Sequence, residues 1–178
     1  MSRFQIRIAG EGGQGLVTAG RILAEAAILA GYNATQNQVY GPQSRGGASR
    51  SDVIIAAEEI GFPLTQDLDF LVVLSAEAYQ RYRPDAGQPC QVIVDSRIDP
   101  DLSAGGVAML PVVDTARAIT GGQLAAGVVA LGVLQPLLDG LGPEALRRAL
   151  TARIPERHRE TNLEALAAGI GLWNGRAA

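Results

Sequence analysis

Gly10-Glu11-Gly12-Gly13-Gln14-Gly15 is the stretch whose reading decides the fold. Before it, Phe4, Ile6 and Ile8 alternate with other residues at the period of a short strand. After it, Leu16, Ala19, Leu23, Ala26 and Ala27 fall on one side of a helix with 3.6 residues per turn. The glycines therefore mark a strand-to-helix turn. Such a turn gathers unpaired N–H groups and the positive end of a helix dipole, and its missing Cβ atoms admit a ligand or a partner backbone. An anion or phosphate seat is the expectation.

Gly10, Gly12 and Gly15 also satisfy G-x-G-x-x-G, the dinucleotide spacing. A nicotinamide or flavin site needs, in addition, an Asp or Glu about 20 residues on, at the end of the second strand, for the ribose hydroxyls. The second-strand candidate, Tyr32 to Val39, offers Asn33, Thr35, Gln36, Asn37 and Gln38 but no carboxylate. That argues against NAD or FAD. Two alternatives stay open here: a turn that only packs helix on sheet, and a stand-alone dinucleotide-binding oxidoreductase.

A second unusual loop follows that strand. Tyr40-Gly41-Pro42-Gln43-Ser44-Arg45-Gly46-Gly47 leads into Ala48 to Ala57, whose Val53-Ile54-Ile55 core reads as a strand. The Arg45 guanidinium is a planar fork suited to phosphate or carboxylate, and Gly46 and Gly47 would let backbone approach the same group. An arginine that caps a helix or pairs with a surface carboxylate is the plainer reading.

Further along, Glu58 to Phe62 reads as a turn into a short return strand ended by Pro63. Asp69 to Leu74, Gln91 to Ser96 and Val107 to Val113 read as buried strands, with a short helix from Ala76 to about Arg81. Asp67 and Asp69, at a strand entrance, read as structural. From Asp114 the pattern becomes helical. Asp114 or Thr115 is the expected cap of a helix to Ile119, broken by Gly121-Gly122. Leu124 to Leu138 is apolar nearly all round, so it requires cover on every side from its own domain or from a partner. Pro143 suits the first turn of a helix through Leu150, and Thr161 or Asn162 the cap of a last helix that frays after Trp173. Together these predict one α/β domain over 1–178. Its architecture is three-layer α/β/α with a mostly parallel sheet and a helical C-terminal part over about 114–175. Both glycine loops follow strands and are expected to meet at the carboxyl edge.

Composition narrows the chemistry. All fifteen basic residues are arginines, which excludes a Schiff-base or P-loop lysine, and the net charge of −3 gives no footprint for nucleic acid. Met1 to Ala9 is too short and too alternating for a signal peptide. No apolar run approaches the roughly 18 residues of a membrane helix, so a cytoplasmic chain is expected. Cys90 is alone and His158, the single histidine, lies in a charged run read as a solvated loop. Structural zinc, a thiolate-held cluster and His-dependent nucleophilic catalysis therefore find no ligand set or base here, and no metal site is expected.

With both loops placed, the chain resembles the gamma subunit of the 2-oxoacid:ferredoxin oxidoreductases of pyruvate, 2-oxoglutarate, ketoisovalerate or indolepyruvate type, or the equivalent domain of a fused enzyme. The resemblance rests on Gly10 to Gly15 with Thr18-Ala19-Gly20, on Tyr40 to Gly47 leading into Ser51-Asp52-Val53, and on Val92-Ile93-Val94-Asp95. Leu131-Gly132 and the closing Asn162 to Gly169 segment complete it, covering roughly residues 4 to 172. Gly121-Gly122-Gln123-Leu124 departs from the family, which often has Asn near the entry to the long apolar helix. The resemblance implies oxidative decarboxylation of a 2-oxoacid with coenzyme A, giving an acyl-CoA and carbon dioxide and reducing ferredoxin. Thiamine diphosphate, Mg and iron–sulfur clusters would lie on partner chains; the isolated chain would be inactive and carry no catalytic residue. Its own candidates are Gly10, Gly12, Gly13, Gln14, Gly15 and Thr18 of the first loop and Gln43, Ser44, Arg45, Gly46 and Gly47 of the second, facing CoA or a neighbouring subunit. Purely structural assembly is the rival role, and a homodimer contact is also open.

Overall fold

The computed structural model describes residues 3–39, 47–87, 89–101 and 106–176. Six strands form one sheet in the order β2-β3-β1-β4-β5-β6. They are β1 (Arg3–Glu11), β2 (Asn33–Val39), β3 (Ala48–Ala56), β4 (Phe70–Val73), β5 (Gln91–Asp95) and β6 (Val107–Leu110). The helices are α1 (Leu16–Leu29), α2 (Ala76–Tyr82), α3 (Val112–Thr120), α4 (Ala126–Leu134), α5 (Pro143–Arg153) and α6 (Arg159–Asn174). β1, β4, β5 and β6 pair in parallel, and β1 and β2 each pair antiparallel with β3. Five strands thus point one way and only β3 runs back, so the α/β class and the mostly parallel sheet are as expected.

The sheet separates two apolar layers. Ile6, Ile8, Val53, Ile55, Val72 and Ile93 face α1 and the C-terminal helices, whereas Ala9, Leu71, Val73, Val92 and Val94 face α2. The chain leaves β1 through α1 on one face toward β2, and leaves β4 through α2 on the other face toward β5. Connections diverge between β1 and β4. That divergence opens a crevice at the carboxyl ends of these two strands, where ligands of open α/β sheets collect.

α4 resolves the question its composition raised. All nine of its residues are buried within this chain, against α1, α3 and α6. Each buried Val or Leu stabilises by about 1.5–3 kcal/mol, so cover from its own fold suffices to account for the apolar helix.

Several boundaries differ from expectation. No strand forms at Glu58 to Phe62. The Pro63 carbonyl there instead accepts hydrogen bonds from Thr35 Oγ1 (3.3 Å) and Asn37 Nδ2 (2.7 Å), and the segment lies along β2. The last strand ends at Leu110, not Val113, because Pro111 lacks the ladder N–H. Val112 and Val113 open α3, and Asp114 and Thr115 fall inside its first turn rather than capping it. The apolar helix is shorter than Leu124 to Leu138, because residues 123–125 form a tight turn and Gln135–Leu137, with Pro136, narrows to a 3₁₀ turn. α6 starts at Arg159, before Thr161 and Asn162, so neither caps it. Asn162 Nδ2 donates back to the His158 carbonyl at 2.8 Å. The helix runs one residue past Trp173.

Candidate functional site

The six-residue glycine stretch divides into packing glycines and open ones. A Cβ at Gly10 would lie 2.1 Å from Gln14 Oε1, and one at Gly15 2.3 Å from the Leu124 carbonyl. Gly15 is also left-handed, at φ +72°, as the residue before α1. These two glycines answer to this chain's own interior. Gly12 and Gly13 do not: nothing lies within 4 Å of a Cβ at Gly12, and only Gln123 Nε2, at 4.0 Å, faces one at Gly13. Both are exposed. Gly13 has φ +88°, so it needs glycine for its backbone as well.

Gln14 occupies the crevice. Its side chain is fully buried; Oε1 accepts the Glu11 N–H (2.8 Å) at the end of β1, and Nε2 donates to the Leu74 carbonyl (3.2 Å) just beyond β4. Its carbonyl accepts the Gly127 N–H at 2.8 Å, which ties the turn to the first turn of α4. Gly10 lacks a Cβ so that this amide can fit. A pyrophosphate would need the space Gln14 fills. β3 also stands between β1 and β2, so any group at the end of β2 is two strand spacings, roughly 10 Å, from β1. Both features oppose a dinucleotide site.

The turn leaves a groove of about 230 Å³, lined by Glu11, Gly12, Gly13, Thr18, Ser49 and Leu124. The first turn of α1 carries no acidic residue and no capping side chain, so the groove meets the positive end of the helix, with the Glu11 carboxylate on its wall. Thr18 is exposed on that turn, and Leu124 is 71% exposed beside it.

The second loop enters through its flanks. Val39 pairs with Arg50 and Glu11 with Ala48, so the ends of β1 and β2 and the start of β3 share the carboxyl edge. Gly47 is buried, with φ +87°, immediately before β3. Gln43, Ser44, Arg45 and Gly46 lie outside the described residues. Gly47, the one described residue of the second loop, therefore stands at the same sheet edge as the first loop.

Sequence reading missed Arg97. Its guanidinium donates to the Leu74 carbonyl (3.2 Å), the same oxygen that holds Gln14, and through Nε to Asp95 Oδ1 (2.5 Å). Asp95, wholly buried at the end of β5, also accepts the Val113 N–H at 2.7 Å and so caps α3. Glu11, Gln14, Leu74, Arg97, Asp95 and Val113 thus form one polar chain across the carboxyl ends of β1, β4 and β5. A carboxylate ending a buried strand with an arginine two residues on was the available signal. The shared Leu74 carbonyl leaves no side-chain trace.

Under the other face, Arg7 is buried and makes a bidentate pair with Asp52, Nε to Oδ1 at 2.7 Å and a terminal nitrogen to Oδ2 at 2.9 Å. Asp85 and Thr65 complete its shell, and Tyr82 lies beneath with its ring centroid 5.5 Å from the guanidinium carbon. Burial pulls the Arg7 pKa down, but the hydrogen bonds and charges of Asp52, then Asp85, outweigh it and the net shift is upward. This cluster is structural, and so is Asp69, whose carboxylate accepts the Gln5 N–H at 2.7 Å.

Thiol ligation has one candidate side chain. Cys90 is buried and its thiol is pushed up to about 11, chiefly by desolvation, so it stays protonated near neutrality. Among the described residues no three His, Cys, Asp or Glu side chains are grouped to hold a metal. A lone thiol does not fit an iron–sulfur cluster.

The profile of the pyruvate ferredoxin/flavodoxin oxidoreductase family matches residues 5–172. The chain is 41% identical over 167 residues to 2-oxoglutarate synthase subunit KorC of Archaeoglobus fulgidus, covering 94% of this chain and 86% of that one. Among solved structures it is similar to the keto/oxoacid ferredoxin oxidoreductase gamma subunit of Geobacter sulfurreducens, with a TM-score of 0.84, 36% identity and 98% of both chains covered. It also shares its fold with the 2-oxoglutarate:ferredoxin oxidoreductase of Magnetococcus marinus, solved with 2-oxoglutarate, coenzyme A and succinyl-CoA. There the TM-score is 0.88 at 24% identity, over 99% of this chain and 32% of that one. By profile, by relatives that match nearly end to end and by fold, this chain belongs to the pyruvate ferredoxin/flavodoxin oxidoreductase family.

Proposed function

We propose that this chain is the gamma subunit of a 2-oxoacid:ferredoxin oxidoreductase, the complex that decarboxylates a 2-oxoacid with CoA to an acyl-CoA and reduces ferredoxin. The observation that carries this is the near end-to-end similarity to KorC and to the Geobacter gamma subunit. Thiamine diphosphate, Mg and the iron–sulfur clusters belong to partner chains in this reading. The isolated buried thiol of Cys90 and the lack of a metal-holding cluster among the described residues support that division.

This chain's contribution is a wall at the entrance to the thiamine site. Gly12 and Gly13 let CoA approach the backbone, the first turn of α1 favours its negative charge, and Arg45 adds a guanidinium fork. Gln14 acts indirectly, by fixing the turn against Leu74 and Gly127. In the reconstituted complex, Arg45→Ala is expected to raise the apparent KM for CoA about tenfold, the loss of one charge-assisted contact of about 1.5 kcal/mol. An unchanged KM in a normally assembled complex would remove Arg45 from that role.

The exposed Leu124 favours a second role for the same edge. An apolar side chain 71% exposed beside an open glycine turn suits contact with a neighbouring subunit, so the wall both docks and receives CoA.

A further inference from the structure

β6 is an end strand, bonded only to β5. Gly106 and Leu110 turn their carbonyls to β5, where they accept the Val92 N–H at 3.0 Å and the Ser96 N–H at 2.9 Å. Backbone groups alternate along a strand, so Val107 and Met109 turn N–H and C=O to the opposite side. Among the described residues nothing pairs with them there. Sheet edges are ordinarily blunted by charge, proline or cover. The β2 edge is handled in that way, since the segment at Pro63 lies along it. β6 reads Val-Ala-Met-Leu, with no charge, and Pro111 comes only after its end.

Beside this edge runs a groove of about 780 Å³, walled by β6 on one side and the C-terminal half of α6 on the other. Ala168, Gly171, Leu172 and Gly175 form the helical wall, at spacings that share one face of a helix. Gly171 is exposed, with nothing within 4 Å of its Cβ position. A strand added to β6 would project alternate side chains over this wall, and the small residues leave room for them. The lining carries one charged residue, Arg176, and no acidic one. The Arg176 guanidinium carbon lies 3.2 Å from the Trp173 ring centroid, and among the described residues no carboxylate meets it.

We propose that this groove receives an extended segment of another subunit of the complex, added to the sheet at β6. Its alternate apolar side chains pack over Ala168, Gly171 and Gly175, and an Asp or Glu pairs with Arg176. The inference rests on the gamma-subunit reading, which supplies the partner. It adds a docking edge three strand spacings from β1, roughly 14 Å away from the glycine turn. Charge and shape select this occupant over a second copy of the chain. A copy meeting this one through the same groove would bring a second Arg176 and no carboxylate, and two concave faces do not fill each other.

Hydrogen exchange of the full chain, alone and in the assembled complex, reads the edge directly. The Val107 and Met109 amides are expected to exchange at least tenfold more slowly in the complex, while those of Ala108 and Leu110, already turned to β5, change little. Met109→Pro removes the outward N–H but no bond to β5, so the variant is expected to fold by circular dichroism and to bind the remaining subunits at least tenfold more weakly. Arg176→Glu is expected to weaken the same association threefold or more, an effect that shrinks in high salt. A photo-crosslinker at position 109 should join the chain to another subunit. Unchanged Val107 and Met109 exchange in an assembled complex, or crosslinks only to a second copy, overturns the proposal and leaves the gamma-subunit role standing. If the unmodified chain joins no complex, that role falls and this docking edge with it.

Discussion

Gly169→Ala is expected to lower the melting temperature, by up to about 8 °C, although alanine is the better helix former. α4 and α6 cross with Gly132 facing Gly169. A Cβ at Gly169 would stand 2.1 Å from the Val129 carbonyl and 2.9 Å from Gly132 Cα. These are backbone atoms of a fully buried helix, which cannot swing aside as a side chain end can. Overpacking of this kind costs about 1–3 kcal/mol and more when backbone must move, against a helix-propensity gain of about 1 kcal/mol. For a chain of this length each kcal/mol shifts the midpoint by roughly 2–4 °C. Gly171, two residues on in the same helix, is the internal control. It is exposed and nothing lies within 4 Å of its Cβ position, so Gly171→Ala is expected to raise the midpoint by about 2–4 °C. Thermal denaturation of both variants followed by circular dichroism checks the pair; shifts of the same sign would mean that α4 and α6 do not approach this closely.

Asp52→Asn is expected to destabilise the chain by about 3 kcal/mol, the low end of what breaking a buried pair costs. It strips Arg7 of both ionic contacts to Asp52 and leaves a buried guanidinium held by Asp85, Thr65 and the Tyr82 ring. Asp85, half exposed, offsets only part of the loss. Asp85→Asn alone is expected to cost about 1 kcal/mol or less, since that pair is open to solvent. The double variant Arg7→Met with Asp52→Leu removes both desolvated charges and should recover most of the stability. Urea unfolding of the three proteins separates these outcomes, and equal losses for Asp52→Asn and Asp85→Asn would mean that Arg7 is far less buried than described.

How far the amino-acid pattern carried the reading depends on what each residue must satisfy. The strand, glycine turn and helix from Arg3 to Leu29 were legible because alternation, Gly13, Gly15 and the 3.6-residue spacing agree locally. The direction of β3 was not, since periodicity does not encode polarity. Chain length did offer a signal, because only residues 40–47 join β2 to β3, and a parallel crossover needs about a dozen. Val112 and Val113 read as strand from their β-branching, but Pro111 and the reach of Asp95 to the Val113 amide made them helix. At the site, spacing alone could not separate Gly10 and Gly15, which make room for Gln14 and Leu124, from Gly12 and Gly13, which face open space. That distinction depends on contacts from Leu74 and Leu124, some 60 and 110 residues away in sequence, which local pattern does not record.

Purification of this chain from its native host, with mass-spectrometric identification of what accompanies it, tests the gamma-subunit role most directly. The expected result is a stable assembly containing a thiamine diphosphate-binding chain and an iron–sulfur chain, reducing ferredoxin with a 2-oxoacid only when CoA is present. Recovery of the chain alone, or with partners that carry neither cofactor, would contradict it.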